Sequence, residues 1–509
     1  MRIAFRVDCT QQTGSGHLMR CLTLADALRA RGDEAHFLGR LTQVGQHLVQ
    51  KRGHALHEIE TPPSFALERD APAHAAWLGA SQADDAAASS KVLAELRPEW
   101  LVVDHYGIDH RWEHSVRSSV GCLLVIDDLA DRVHDCDLLL DQNFHGDDRL
   151  SYRYDRLVPA DCRRLLGPRY ALLRPEFGQH DHRTRSRDGS IRRILISFGG
   201  IDVQNHSERA LLAVRSIDAG IAIDLVVGAE CPHLPNLHAR CTGLSNVHIH
   251  VQTDRMADLM SHADAAIGAG GTSTWERLCM GLPTLAIAVA TNQAPGVAAL
   301  CEGGYLIGMD DFDALGPADM RSILQTLMLS PALSRGLGRR GQALVDGEGT
   351  SRVIALLSPP AISIRRASLT DCDALHAWRN DDRVRAQSHD PKPIAYENHR
   401  RWLEQVLAAP HRALLVGEDA EGPVGVVRFD LQSTEALISV YLVPSRVGSG
   451  LSSALLRAAA GWLRATHPHV ERLVAEVRPG NLPSQRAFER AGYVIDHHTF
   501  VAQIKGSQP

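Results

Sequence analysis

From its first residues the chain alternates apolar segments of strand type with helical patterns. RIAFRVD (2–8) is followed by an amphipathic stretch from Leu18 to Arg31, then by AHFLGR (35–40), WLVVDHY (100–106) and CLLVIDDLA (122–130). This alternation predicts βαβ units around a parallel sheet covered on both faces. The polar stretch HDHRTRSRDGSIRR, His180 to Arg193, predicts an exposed connection. A second series follows, with ILISFGG (194–200), AIDLVVG (222–228), NVHIHV (246–251), AAIGAGG (265–271) and LPTLAIAV (282–289), and predicts a second doubly wound lobe. After Leu357 the adjacent prolines of SPPAISIRRASLTD cannot continue a helix, and ISIRR reads as a new first strand. Beyond this boundary near Ser358, helices at Asp371–Asn380 and Tyr396–Leu407 precede strands at ALLVG, PVGVVRFD and EALISVYLV. The expected division is therefore 1–175 and 176–357 for two α/β lobes and 358–509 for a smaller α/β domain.

Composition narrows the class. Lys and Arg number 54 against 60 Asp and Glu, a formal net charge of −6, too mild to indicate a nucleic-acid or acidic-membrane surface. Small-molecule partners are expected instead. The 10 cysteines are scattered singly from Cys9 to Cys372, without a CxxC pair or zinc-like Cys/His spacing. Neither a disulfide framework nor a metal site is expected, and a reducing cytoplasm fits. MRIAFRVDC is too short and too polar for a signal-peptide core, and no apolar run of about 18 residues follows. These features lead us to expect a soluble, cytoplasmic protein without stable membrane contact.

TGSGHLMRCLTLADALRARG, Thr13 to Gly32, places a histidine behind two glycines and ahead of a helix. Such a turn lets the backbone approach a ligand, and the helix start favours an anion. The same field disfavours imidazolium, so His17 reads either as a neutral proton acceptor or as a polar helix-start residue. Asp8, at the end of the first strand, reads as a partner of His17, a ligand contact or a capping carboxylate. Asp104, His105 and Tyr106 end another strand at the edge where α/β folds bind ligands. In the second lobe, Gly199 and Gly200, and Gly270 and Gly271 followed by Thr272 and Ser273, are close-approach turns suited to phosphate, or ordinary βα turns.

The run RVDCTQQTGSGHLMRCLTLADALRARG (6–32) resembles the N-terminal signature of the nucleotide-sugar hydrolases of pseudaminic acid biosynthesis, relatives of the MurG-like glycosyltransferases. VVDHYGID (Val102–Asp109), VIDDLADR (Val125–Arg132), LLLDQN (Leu138–Asn143), GPRYALLRPEF (Gly167–Phe177), SFGGID (Ser197–Asp202) and GAGGTSTWERLCMGLPTLAIAVATNQ (Gly268–Gln293) extend the resemblance over most of residues 1–355. It implies two Rossmann-like lobes of GT-B type. The implied reaction is metal-free hydrolysis of UDP-2,4-diacetamido-2,4,6-trideoxy-β-L-altropyranose to UDP and free sugar. By carry-over His17 is the catalytic histidine that orients or deprotonates the water. Asp8, Gly16 and Tyr106 are expected on the sugar side. Gly199, Gly200, Gly270, Gly271, Thr272, Ser273, Asn292 and Gln293 are expected on the nucleotide side, with Glu276 on the ribose hydroxyls.

In the last domain LISVYLVPSRVGSGLSSALLRAAAGWLRA (437–465) runs strand, turn, helix, and VAEVRPGNLPSQRAFERAGY (474–493) follows it. Together they resemble the coenzyme A core of the GNAT N-acetyltransferases. This implies acetyl-CoA as cosubstrate, held by Val443, Arg446, Val447, Gly448, Ser449, Gly450, Asn481, Ser484 and Phe488. Two departures stand out: Ser445 replaces the Gln or Arg that usually opens the turn, and Phe488 occupies the place of a tyrosine that protonates the departing thiolate. Trp378, Arg379, Asn380, His399 and Trp402 resemble the branch that acetylates the 4-amino group of UDP-4-amino sugars. The whole reads as a bifunctional enzyme that acetylates such a sugar and then removes UDP. The alternatives are a GT-B UDP-sugar glycosyltransferase with a sugar-acetylating domain and a non-catalytic UDP-sugar binding module.

Overall fold

The apolar strand runs become the centres of two parallel sheets. The computed structural model describes residues 1–10, 12–146, 152–178, 187–309, 317–357, 362–386, 388, 390–447, 451–478, 480–491 and 493. The first sheet comprises β1 (Arg2–Val7), β2 (Glu34–Gly39), β3 (Ala55–Glu58), β4 (Trp100–Asp104), β5 (Cys122–Ile126), β6 (Leu138–Asp141) and β7 (Arg163–Leu166), in the order β3-β2-β1-β4-β5-β6-β7. The second comprises β8 (Arg193–Ser197), β9 (Ala222–Val227), β10 (Val247–Val251), β11 (Ala265–Ala269), β12 (Thr284–Ile287) and β13 (Ile307–Met309), in the order β10-β9-β8-β11-β12-β13. β1 pairs in parallel with both β2 and β4, and β8 with both β9 and β11. Burial on both faces explains why β4 and β11 read as unbroken apolar runs rather than alternating ones.

In both sheets the chain reverses its direction of winding beside the first strand, at β1/β4 and at β8/β11. Such switch points open a crevice beyond the carboxyl ends of the strands. The two lobes exchange segments: the Gly349–Leu357 helix contributes Val353, Ile354 and Leu357 to the core under the first sheet. In return Ala171, Leu173 and Phe177 join a core of the second lobe. The last helix of the expected 176–357 lobe therefore packs on the first. The first 357 residues thus form two Rossmann-like α/β lobes joined by swapped segments.

Part of the expected exposed connection is anchored. Residues 179–186 lie outside the described residues, but the Arg187 guanidinium donates to the carbonyls of Met260, Ala263 and Met280 at 2.8, 3.0 and 2.7 Å. These carbonyls give the arginine a fixed place that charge patterning alone did not suggest.

The chain divides into two compact units, residues 1–119 with 123–357, and residues 358–509 with 120–122. The second unit holds β14 (Ser363–Arg366), β15 (Arg412–Asp419), β16 (Gly422–Gln432), β17 (Glu435–Leu442) and β18 (Arg472–Ala475), in sequence order. All neighbours are antiparallel except β17 and β18. One face packs on the Ser452–Thr466 helix through Leu455, Leu456 and Ala459, the other on helices Cys372–Asn380 and Tyr396–Ala408 through Leu375, Leu403 and Val406. No helix among the described residues is long and apolar enough to cross a membrane.

Candidate functional site

The first half of the site stands at the β1/β4 switch point. Gly14, at φ +66°, turns the chain after β1, and the Gly16–Arg29 helix begins two residues later. Leu18, Cys21, Leu22, Ala25 and Leu28 bury one face of that helix and so fix its rotation. That rotation sends His17 and Arg20, one turn apart, to the end of β4. There His17 Nδ1 lies 2.6 Å from Asp104 Oδ1, while Arg20 grips the same carboxylate with Nε and Nη2, each at 2.6 Å.

The Asp104 side chain is fully buried and that of His17 is 12% exposed. Burial works against the Asp104 carboxylate, but Arg20 and then His17 outweigh it and hold its pKa well below the usual range. An ionised carboxylate only accepts hydrogen bonds, so at 2.6 Å Nδ1 is the donor to it, and Arg20 Nη2, 3.2 Å from Nδ1, gives its proton to Asp104 Oδ1 instead. In the neutral ring Nε2 is then a lone-pair acceptor, and no protein group among the described residues bonds to it. The arrangement can accept a proton from a water.

Arg20 Nη1 reaches Asp128 at 3.2 Å, and Asp128 also accepts from the Tyr106 hydroxyl at 2.6 Å and from Asn143 at 3.2 Å. Tyr106 presents its ring edge-on to His17, with centroids 4.6 Å apart. Its hydroxyl is thus engaged by protein and its ring supports the imidazole.

Asp8 is placed differently from the expectation that it partners His17. It is buried against Arg6, with His105 Nε2 3.3 Å from Oδ2 and the Arg40 amide donating to Oδ1 at 2.8 Å. Arg6 in turn binds Asp85, which also receives Arg40 and the Trp112 indole N–H. Both Asp8 oxygens serve this internal network, because a buried carboxylate beside a buried guanidinium takes the nearest donors.

The second half stands at the β8/β11 switch point. Gly199 has φ +90° with open space where a Cβ would stand, and Gly200 faces Ser15, 4.0 Å from a Cβ there. A Cβ on Gly16 would lie 4.0 Å from Thr272 Oγ1. The turns of the two lobes therefore face each other around His17. Gln293 lies alongside Gly270 and Gly271, its Oε1 accepting the Val289 amide at 3.2 Å, while Asn292 and Thr272 are exposed. Ser273 is half-buried at the start of the Ser273–Cys279 helix, which carries Glu276. Glu276 lies 3.6 Å from Arg174, which also pairs with Glu176 at 3.0 Å. Burial pushes the Glu276 carboxyl up, with Arg174 opposing. No group of His, Cys, Asp and Glu suited to a metal is found among the described residues.

In the smaller unit Gly448, Ser449 and Gly450 lie outside the described residues. The Ser452–Thr466 helix begins without an acidic residue in its first turn or a side chain capping it, a helix start that favours an anion. Arg446 pairs with Asp419 and with Glu421 at 3.2 Å. Val443 is buried, its amide and carbonyl both used in backbone bonds to Val424 and Arg446, and Val447 is exposed. Asn481 accepts the Ser484 amide at 3.2 Å and so starts the Leu482–Arg490 helix. Phe488 is buried edge-on to Tyr493, with ring centroids 5.0 Å apart. Trp378 and Trp402 pack against the core, His399 is buried 5.3 Å from Trp402, and Arg379 turns to the Asp390 carbonyl.

Residues 362–494 match the family model described as Acetyltransferase (GNAT) domain. This region is a GNAT domain. The chain is also similar to curated proteins. The UDP-2,4-diacetamido-2,4,6-trideoxy-beta-L-altropyranose hydrolase of Campylobacter jejuni is 24% identical over 60% of this chain and 98% of its own length. The spore coat polysaccharide biosynthesis protein SpsG of Bacillus subtilis is 29% identical over 39% of this chain, and the match spans 59% of that protein. Among solved structures, MurG of Acinetobacter baumannii overlays 70% of this chain and 99% of its own, at 13% identity and a TM-score of 0.49. The GNAT domain lies wholly within the second unit, outside the residues around His17.

Arg20, Asp128 and Asn143 were not among the expected site residues, and Asp104 was placed at the strand edge without its role. The i,i+3 spacing of His17 and Arg20 was the available signal. It needed β4 as neighbour of β1 to acquire meaning.

Proposed function

We propose that the chain is a bifunctional nucleotide-sugar enzyme. In this reading the first unit hydrolyses UDP-2,4-diacetamido-2,4,6-trideoxy-β-L-altropyranose, and the GNAT domain acetylates the 4-amino group of its UDP-linked precursor. The observation that carries the hydrolase reading is His17, locked by Asp104 with Nε2 open and set opposite the glycine turns of the second lobe. The similarity to the Campylobacter jejuni hydrolase supplies the substrate.

In this mechanism a water lies between His17 Nε2 and the anomeric carbon. Its oxygen bonds to that carbon as the carbon–oxygen bond to UDP breaks, and its proton passes to Nε2. Asp104 keeps the proton on Nδ1 and stabilises the imidazolium that forms, and Arg20 keeps Asp104 ionised and oriented. The second lobe holds the nucleotide: Gly199, Gly200 and Gly271 give backbone access to the diphosphate, Gly270 gives its amide to Ile287 and packs on Val297 to shape the turn, and Glu276 accepts from the ribose. The GNAT domain draws its acetyl group from acetyl-CoA, whose thioester carbonyl is attacked by the neutral 4-amine. Phe488 has no proton for the departing thiolate.

The test is a mass-spectrometric and NMR time course with UDP-4-amino-4,6-dideoxy-β-L-N-acetylaltrosamine, with and without acetyl-CoA. The expected sequence is gain of one acetyl group, then UDP and free diacetamido sugar. UDP release that requires an added acceptor sugar would overturn the hydrolase reading in favour of a glycosyltransferase.

A further inference from the structure

Below the glycine turn that ends β11 lies a cation without an anion. Arg277 projects from the Ser273–Cys279 helix and is only 1% exposed. Its Nη2 donates to the Ala269 carbonyl at 2.5 Å and to Thr274 Oγ1 at 2.9 Å. Its Nε and Nη1 are buried without a hydrogen-bond partner. Nη1 lies so close over Gly268 that a Cβ there would stand 2.1 Å from it, and Gly268 pairs with Ser197 at the β11/β8 switch point. The guanidinium is therefore under the seam between Gly199–Gly200 and Gly270–Gly271.

A buried guanidinium is ordinarily paired, because desolvation is costly. Burial here pulls the pKa of Arg277 down to about 10, with Glu276 opposing. Glu276 is itself turned toward Arg174, and no carboxylate among the described residues forms an ion pair with Arg277. An anion at the glycine edge would compensate the charge through a medium of low dielectric. The contacts to Ala269 and Thr274 also tie together the two ends of the turn that carries Gly270, Gly271, Thr272 and Ser273.

We propose that Arg277 is a positioning residue for a nucleoside diphosphate: it clamps the Gly270–Ser273 turn and supplies the positive charge beneath the diphosphate. This rests on the reading of the cleft as a nucleotide-sugar site. The full chain and its Arg277→Gln and Arg277→Lys variants are titrated calorimetrically with UDP and with uridine. Arg277→Gln is expected to weaken UDP about tenfold while uridine binding stays within about twofold. An equal loss for both ligands, or no loss for UDP, overturns the proposal, since a purely structural role does not distinguish them. Arg277→Lys is expected to prefer UDP to uridine near pH 7 and to lose that preference as pH rises toward about 9.5, because a buried lysine gives up its proton. A preference in that variant that does not change with pH overturns the proposal even if Arg277→Gln fails to fold. Binding of neither ligand by the unaltered chain overturns the nucleotide reading itself.

Discussion

The two edges of the cleft are built from opposite materials. At the β1/β4 edge His17, Arg20, Asp104, Asp128 and Tyr106 hold one another through charged hydrogen bonds. At the β8/β11 edge the backbone lies open at Gly199, and Gly270 and Gly271 carry no side chain, while the buried Arg277 guanidinium beneath them bonds through Nη2 alone. Proton transfer needs a ring held in one orientation and one tautomer, which takes side chains with fixed partners. Diphosphate binding needs amide donors and room, which glycine turns supply.

The contrast yields predictions of decreasing size. His17→Ala is expected to lower UDP release on the order of a thousandfold while acetyl transfer by the GNAT domain continues; equal loss of both activities in folded protein would break the division of labour. Asp104→Asn should cost a few hundredfold in kcat with little change in KM, because the amide permits the wrong tautomer and leaves Arg20 with Asp128 as its remaining carboxylate. A loss confined to KM would move Asp104 to the binding edge.

His134, in the ionic network of the first lobe, lies 2.7 Å from Glu113 and 3.8 Å from Asp127. Burial alone would lower its pKa, yet the two carboxylates raise it from 6.5 to about 9. Its pairing contributes stability fully below the unfolded value of about 6.5 and loses it as pH rises toward about 9, on the order of 3 kcal/mol. Thermal melts should therefore fall across that window in the natural protein and fall less in His134→Gln. Parallel pH profiles for the two proteins would remove His134 from the account.

Gly199→Ala probes the other edge. The alanine meets open space but must adopt φ +90°, a strain of about 1 kcal/mol or more. A several-fold rise in KM with kcat nearly kept is expected, whereas a kcat loss resembling that of Asp104→Asn would erase the distinction between the edges. The smallest effect is expected for Arg446→Ala in the GNAT domain. Since Arg446 pairs with Asp419 and Glu421, coenzyme A affinity measured by calorimetry should change less than about twofold.

Much of the fold was legible because burial on both faces writes itself into the chain as apolar runs. RIAFRVD, WLVVDHY, ILISFGG and AAIGAGG became β1, β4, β8 and β11 with small shifts at their ends. The Gly349–Leu357 helix was the less legible part. Its amphipathic pattern states that it packs, not on which lobe, and only the tertiary fold sends it to the core of the first.

The same limit applies at the site. His17 and the glycine turns stood out locally, since two glycines before a histidine and a helix form a pattern within a few residues. Asp8 and Asp104 could not be told apart on that basis, as both are carboxylates at strand ends. The sheet order decided between them: it set β4 beside β1, gave Asp8 to Arg6, His105 and Arg40, and gave Asp104 to His17 and Arg20. By itself the sequence determined which segments are strands, where the chain turns tightly and which residue types stand at each turn, because these follow from local sterics and hydrophobic periodicity. Only the tertiary structure decided which charge meets which, and which guanidinium is left without an anion, because those pairings join residues far apart in sequence.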